Sequence, residues 1–204
     1  VWSELGGPHF KARRKTTKGE PRTALLRAAL RITLLTGCRP GEVRRMRWEH
    51  IEGDTWTMPA GYRKKTKADK GRPSRPHVVH LSAQALAELE RVQRWTRGGF
   101  LFPAADRKLY KPVSRQTLAR VAARMCRRLE VEPWTPHDLR RTARTGWSTV
   151  LKVDAVVAEK MLGHALPKIL RTYDQSPQLE ERRDALDRWG AHLAGLVAGD
   201  VVGA

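Results

Sequence analysis

The chain predicts a mainly α-helical fold with a small antiparallel β-sheet. Two observations carry this. Apolar residues recur at helical spacing through residues 21–35, 82–97, 114–129 and 179–196, and only residues 49–81 break into short extended runs around a Gly-Asp turn. At 204 residues, 40% of them hydrophobic, the chain is long enough to bury a sizeable core.

Charge points to the partner. Forty Lys and Arg against 21 Asp and Glu leave a net +19. Such a surplus calls for a polyanion, bound in a salt-sensitive way, and a nucleic acid is the expected partner rather than a merely soluble basic surface. Cys38 and Cys126 are the only cysteines, too few for a four-thiolate metal site, and they read as free, buried thiols in a reducing compartment. No run of about 18 apolar residues or signal peptide is visible, so no membrane partner is expected. No metal and no cofactor are called for, because no carboxylate cluster of metal-binding form stands beside the motifs below.

In chain order, residues 1–20 are polar and basic, with Gly-Gly-Pro, and read as a linker or arm. Leu25, Leu26, Ala29, Ile32 and Leu35 mark a helix that opens near Pro21 and delivers the turn TGCRPGEV. Pro40 opens a second helix, predicted to run through Met46 and Trp48. Arg39 sits at this junction, where helix-start N–H groups and its guanidinium suit a phosphate; the alternative is that it caps the helix or pairs with Glu42. HIEGDTWTMP is read as a hairpin and residues 77–82 as a third strand, with a basic loop YRKKTKADKGRPSRP between them. Ser82 and Ser114 are predicted N-caps. The helix after Ser114 buries Leu118, Val121, Ala122, Met125 and Leu129 and turns Arg115, Arg120, Arg124, Arg127 and Arg128 outward, toward solvent or a DNA backbone.

Pro136 sets the entry to HDLRRT, which places His137 and Arg140 on one helix face. Asp154 caps the next helix, and Gly163 ends it, since glycine accepts the left-handed conformation of a C-cap. His164 stands at that turn, and Tyr173 follows nine residues later across a short helix opened by Pro167. Leu179, Leu186, Trp189, Leu193 and Leu196 give the tail an amphipathic stripe. Trp48, Trp134, Trp147 and Trp189 read as packing residues rather than base-stacking platforms. Two arginines, two histidines and a tyrosine suit phosphate chemistry: forked permanent cations, proton carriers and a nucleophile that forms covalent intermediates.

TGCRPGEV, HDLRRT and LGH followed by Tyr173, in this order and spacing, resemble the signature boxes of the tyrosine recombinase (phage integrase) family. The resemblance covers residues 21–198, leaving 199–204 as a tail. It implies a tyrosine recombinase catalytic-domain fold, with DNA-binding domains ahead of it to which residues 1–20 would be the linker. It also implies a site-specific recombinase that serves integration and excision of a mobile element. Tyr173 is then the nucleophile forming a 3′-phosphotyrosyl linkage, Arg39 and Arg140 neutralise the phosphate, His164 donates to it, and His137 accepts the tyrosine proton. A lysine of the sheet region protonates the leaving oxygen. Lys65 is preferred, because KT followed by a basic loop and an apolar strand resembles the family's arrangement; Lys67 and Lys64 are the alternatives. Arg63, Lys70, Arg72, Arg115 and Arg141 are assigned to DNA contact. The tail is read as packing in cis on its own domain, the alternative being the docking on a neighbouring protomer of which the family's tail is capable. A homo-oligomer, a tetramer on DNA and weakly associating or monomeric without it, acting in the cytoplasm of a bacterial cell at the nucleoid, follows from the same resemblance. Two other readings stay open: a catalytically silent DNA-binding relative, and a type IB topoisomerase-like nicking-closing enzyme.

Overall fold

The computed structural model describes residues 20–62, 75–93, 95, 99–105, 111–164 and 177–199. Its helices are α1 (Glu20–Thr36), α2 (Pro40–Val43), α3 (Ala83–Gln93), α4 (Arg115–Leu129), α5 (Pro136–Thr149), α6 (Ala155–Met161) and α7 (Leu179–Ala198), and its strands are β1 (Ile51–Glu52), β2 (Thr55–Met58) and β3 (His77–His80).

Helix α1 is the centre. The sequence marks one apolar face, yet the helix is buried on every side from Ala28 to Thr36, because α2, α3, α4, α5 and α7 all pack on it. Its polar side chains are therefore satisfied internally. Thr33 and Thr36 hydroxyls donate to the carbonyls of Ala29 and Ile32, four residues back. Arg31 pairs with Glu88 of α3, and Arg91 gives the same carboxylate a second partner at 2.8 Å. Burial lowers the Arg31 guanidinium to about 10, the Glu88 carboxylate notwithstanding.

Helix α2 corrects the expected span, since it ends at Val43 rather than running to Trp48. The carbonyl of Met46 is claimed by the amide of Leu101 at 2.9 Å, and Arg47 bridges Phe100 in extended conformation. A tertiary bridge replaces the next helical turn. It also buries Leu101 and Phe102.

The sheet is antiparallel in the order β1-β2-β3, with Trp56 opposite Val79 and Met58 opposite His77. Trp56, Met58, His77 and Val79 are buried on the inner face, as period-two alternation requires. Helix α7 covers the edge of β3: Arg182 donates to the Val78 carbonyl, His80 meets Asp187 at 2.8 Å, and Arg183 holds Asp54 with two bonds, one of 3.1 Å.

The local caps follow from their residues. Ser114 Oγ accepts from the Thr117 amide, Asp154 Oδ1 from the amides of Val156 and Val157, and Ser82 Oγ from Ala85. Asp138 takes both the amide and the hydroxyl of Thr135 at the start of α5. On α7, Leu186, Trp189 and Leu193 are buried against α1, α3, α5 and α6, a packing in cis. Leu179 and Leu196, expected on the same stripe, are 49% and 51% exposed. Only the middle of the helix has its apolar stripe covered. Both cysteines are free and buried, Trp147 and Trp189 are core, and Trp48 and Trp134 pack partly buried against it.

Candidate active site

Two loops and one helix face converge where α1, α5 and α6 meet. The chain leaves α1 through Gly37, whose φ of +63° sends it back under Trp147 of α5. Arg39 follows in extended conformation and Pro40 opens α2. Glu42, in the first turn of α2, accepts from both ends of Arg39: the backbone amide at 2.9 Å and Nη1 at 3.0 Å. The pairing offered as an alternative role for Arg39 is thus formed. It also takes the Arg39 amide that the sequence reading had left for a phosphate. The side chain nevertheless lines an open cleft of about 440 Å³.

Arg140, 5% exposed, lies beneath. Its Nη1 donates to the carbonyl of Gly37 at 2.8 Å, and its Nη2 to the carbonyl of Leu162 at 3.3 Å and to Nε2 of His164 at 2.8 Å. All three acceptors are uncharged. Burial, and then the charge of Arg39, push the Arg140 guanidinium below its ordinary value. An anion at this place would relieve both.

His137, three residues before Arg140, is exposed on the cleft wall. Partial desolvation, then the charges of Arg140 and Arg39, hold its pKa below the ordinary histidine value, which keeps the ring neutral near neutral pH. His164 follows Gly163, whose φ is +66°, and its amide closes α6 on the carbonyl of Glu159. Its Nδ1 meets Glu159 Oε2 at 2.6 Å, and Glu159 Oε1 accepts from Arg144 Nε at 3.2 Å. Below the guanidiniums, burial and the nearby Glu42 carboxylate push the Cys38 thiol up to about 12, so it stays protonated.

Arg39, His137, Arg140 and His164 are therefore brought together from three distant segments. Tyr173, Lys65 and its alternatives Lys64 and Lys67, and Arg63, Lys70 and Arg72 lie outside the described residues. Arg115 stands on the cleft wall, its guanidinium against Gly41. Arg141 faces outward on α5, 3.3 Å from Asp138. A second cleft, of about 660 Å³, adjoins the first across Tyr62 and Arg115 and is lined by Arg44, Arg45 and Lys111. The Arg45 guanidinium lies 5.7 Å from the Tyr62 ring centre.

Sequence reasoning assigned no site role to Glu159, Arg144 or Tyr62, and treated Glu42 only as a competitor for Arg39. Glu42 had a signal, its third position in a Pro-opened helix. Glu159 and Arg144 had none, since their pairing depends on how α5 and α6 pack.

The phage integrase family model matches residues 11–179, and the chain belongs to the phage integrase family. It is 30% identical over 180 residues to the prophage integrase IntZ of Escherichia coli (strain K12), across 86% of this chain and 41% of that protein. The chain thus spans less than half the length of that relative. Among solved structures, the integrase of mycobacterium phage Brujita superposes with a TM-score of 0.60 at 16% identity, over 88% of this chain and 60% of that one. The XerH site-specific recombinase, in a pre-cleavage complex with its difH substrate, gives 0.55 at 16% identity, over 78% and 44%. The helical fold with a small antiparallel sheet is the tyrosine recombinase catalytic-domain fold.

Proposed function

We propose that the chain is the catalytic part of a site-specific DNA recombinase that serves integration and excision of a mobile element. The observation that carries this is Arg140, a buried guanidinium whose hydrogen-bond acceptors are all neutral, set beside Arg39 at an open cleft. Arg140, which has no charged partner, and Arg39, paired with Glu42 yet open to the cleft, stabilise the charge that builds on nonbridging phosphate oxygens during transfer.

In this reading the Tyr173 oxygen attacks phosphorus, the P–O5′ bond breaks, and a 3′-phosphotyrosyl linkage and a 5′-hydroxyl result. His137, neutral and on the cleft wall, takes the phenol proton. Lys65, or Lys67 or Lys64, gives a proton to the leaving oxygen, and a partner strand's 5′-hydroxyl reverses the sequence. One ester replaces another, so no nucleotide energy source is needed. Arg115 and the adjoining Arg44 and Arg45 contact the flanking backbone. Several copies of the chain assemble on double-stranded DNA, inside the cell that carries the element.

The test is incubation with a pool of nicked suicide duplexes of randomised core, followed by a denaturing gel. A covalent adduct that disappears in Tyr173→Phe is the expected result. An adduct that persists in Tyr173→Phe overturns the assignment of the nucleophile. Intact binding without any adduct overturns the enzymatic reading in favour of a silent binder. Relaxation of supercoiled plasmid without strand exchange would move the chain to the topoisomerase-like class.

A further inference from the structure

We propose that Glu159 is the positioning residue for His164, in a carboxylate–imidazole–guanidinium relay, Glu159–His164–Arg140, that turns the imidazole from acceptor to donor when an anion enters beside Arg140. This rests on the reading of the cleft as a phosphate site.

The contacts set the direction of each hydrogen bond. Glu159 Oε2 lies 2.6 Å from His164 Nδ1, shorter than the usual charge-assisted N–H···O bond of about 2.7–2.9 Å. The other carboxylate oxygen is held by Arg144 Nε, and Arg144 is itself held by the Ser148 hydroxyl. Burial raises the Glu159 pKa, but the bonds from His164 and Arg144 outweigh it and the net shift is downward, so the carboxylate stays ionised. An ionised acceptor fixes the proton of a neutral His164 on Nδ1. The lone pair is then on Nε2, where Arg140 Nη2 donates to it. In this state His164 has no Nε2 proton to offer a phosphate.

A second proton on Nε2 breaks the bond from Arg140 and sets two cations against each other. A phosphate oxygen between them removes that cost, and Glu159 stabilises the resulting imidazolium from behind. The proton comes from solvent and returns there when the anion leaves. Among the described residues, the charged and titratable groups around the ring are Glu159 on α6 and Arg140 and Arg144 on α5. Beyond Arg140 stand the Arg39–Glu42 pair and the Cys38 thiol, and His77 of β3 meets the end of α6 at the Met161 carbonyl. Ending the helix does not require the side-chain pair, because the His164 amide already bonds the Glu159 carbonyl at 2.9 Å.

The test follows the His164 ring by nitrogen-15 NMR in the chain, alone and with a short duplex of mixed sequence. It compares wild type, Glu159→Gln and Arg144→Gln. Gln at 159 still accepts from Nδ1, so orientation is kept and only the charge is lost. The expected result is an Nδ1–H tautomer in the free wild type. The His164 pKa is lower in Glu159→Gln than in wild type, since the carboxylate charge behind the ring is gone, and is not lowered in Arg144→Gln, which removes a cation. The duplex raises the pKa in wild type and much less in Glu159→Gln. An Nε2–H tautomer, or equal pKa values in wild type and Glu159→Gln, overturns the relay.

Adduct formation against pH gives the second readout. The limb on which activity is lost as pH rises moves to lower pH in Glu159→Gln, by the same amount. An adduct with an unmoved limb overturns the relay alone. The stated NMR differences without an adduct from wild type overturn the recombinase reading and leave the relay standing.

Discussion

Arg140 reaches across 103 positions of the chain to donate Nη1 to the carbonyl of Gly37, 2.8 Å away. The same helix presses Trp147 on the same residue: a Cβ on Gly37 would lie 2.4 Å from Trp147 Cη2, and its φ of +63° is already strained for any side chain. One turn is therefore gripped twice by α5, which holds Arg39 in register with Arg140. Gly37→Ala is expected to cost about 2–4 kcal/mol, roughly 1 from the left-handed backbone and the rest from overpacking. Urea denaturation measures it. A loss below about 0.5 kcal/mol, the ordinary surface value, would mean that Trp147 yields freely.

His137 gives the pH prediction. Partial desolvation, then Arg140 and Arg39, hold its folded pKa below the ordinary 6.5. As pH falls, the unfolded chain takes up this proton before the folded chain does. The contribution to stability is therefore complete above about 6.5 and is lost as pH falls through 6.5 toward the lower folded value. Replacing His137 with Gln should flatten the acid side of the stability profile, measured by urea midpoints across that range. Parallel profiles for variant and wild type would show that the ring titrates normally.

Local signals made much of this site legible. Pro40, Pro136, Asp154 and Gly163 each act within one turn of themselves, so the boundaries on which Arg39, His137, Arg140 and His164 stand follow from neighbouring residues. What failed was decided at long range. Helix α2 stops early because Leu101 takes the Met46 carbonyl. Arg31 interrupts an apolar run, yet it is buried because Glu88 waits 57 positions away. Glu159 is one more acidic residue on a helix until Arg144 and His164 close on it. Tyr173 and the lysines, the proposed nucleophile and proton donor, were legible only through the resemblance.

Arg115 should act through the DNA backbone rather than through sequence. It joins the two clefts, and Arg44 beside it is lowered by burial and then by the charges of Arg45 and Arg115. These cations gain from a shared polyanion. Arg115→Ala is expected to weaken binding about equally across duplex sequences and to reduce the slope of log affinity against log salt by about 1. Fluorescence anisotropy over a salt series reads this. A loss confined to one sequence would instead make Arg115 a base reader, and an unchanged slope would leave it facing solvent.

Trp189 decides what α7 is for. The sequence left the tail to pack in cis or on a neighbour, and the helix packs in cis with Trp189 3% exposed. Its Nε1 donates to the Leu34 carbonyl at 2.9 Å, and its ring fills the place where a Gly146 Cβ would stand. Removing it leaves a cavity between α1 and α5 that neither backbone can close, so Trp189→Ala should cost about 3–5 kcal/mol. Trp189→Phe keeps most of the ring and loses the N–H, so its cost is expected to be smaller, about 1–2 kcal/mol, chiefly that of the bond to Leu34. If α7 belongs to its own chain, the unfolding midpoint of the free protein is independent of concentration. If a partner supplies it, dilution lowers the midpoint by mass action. Denaturation at two widely separated concentrations separates the cases. A midpoint that falls on dilution would mean that the socket under Trp189 is filled from a second copy, and that the monomer exists only with the socket open.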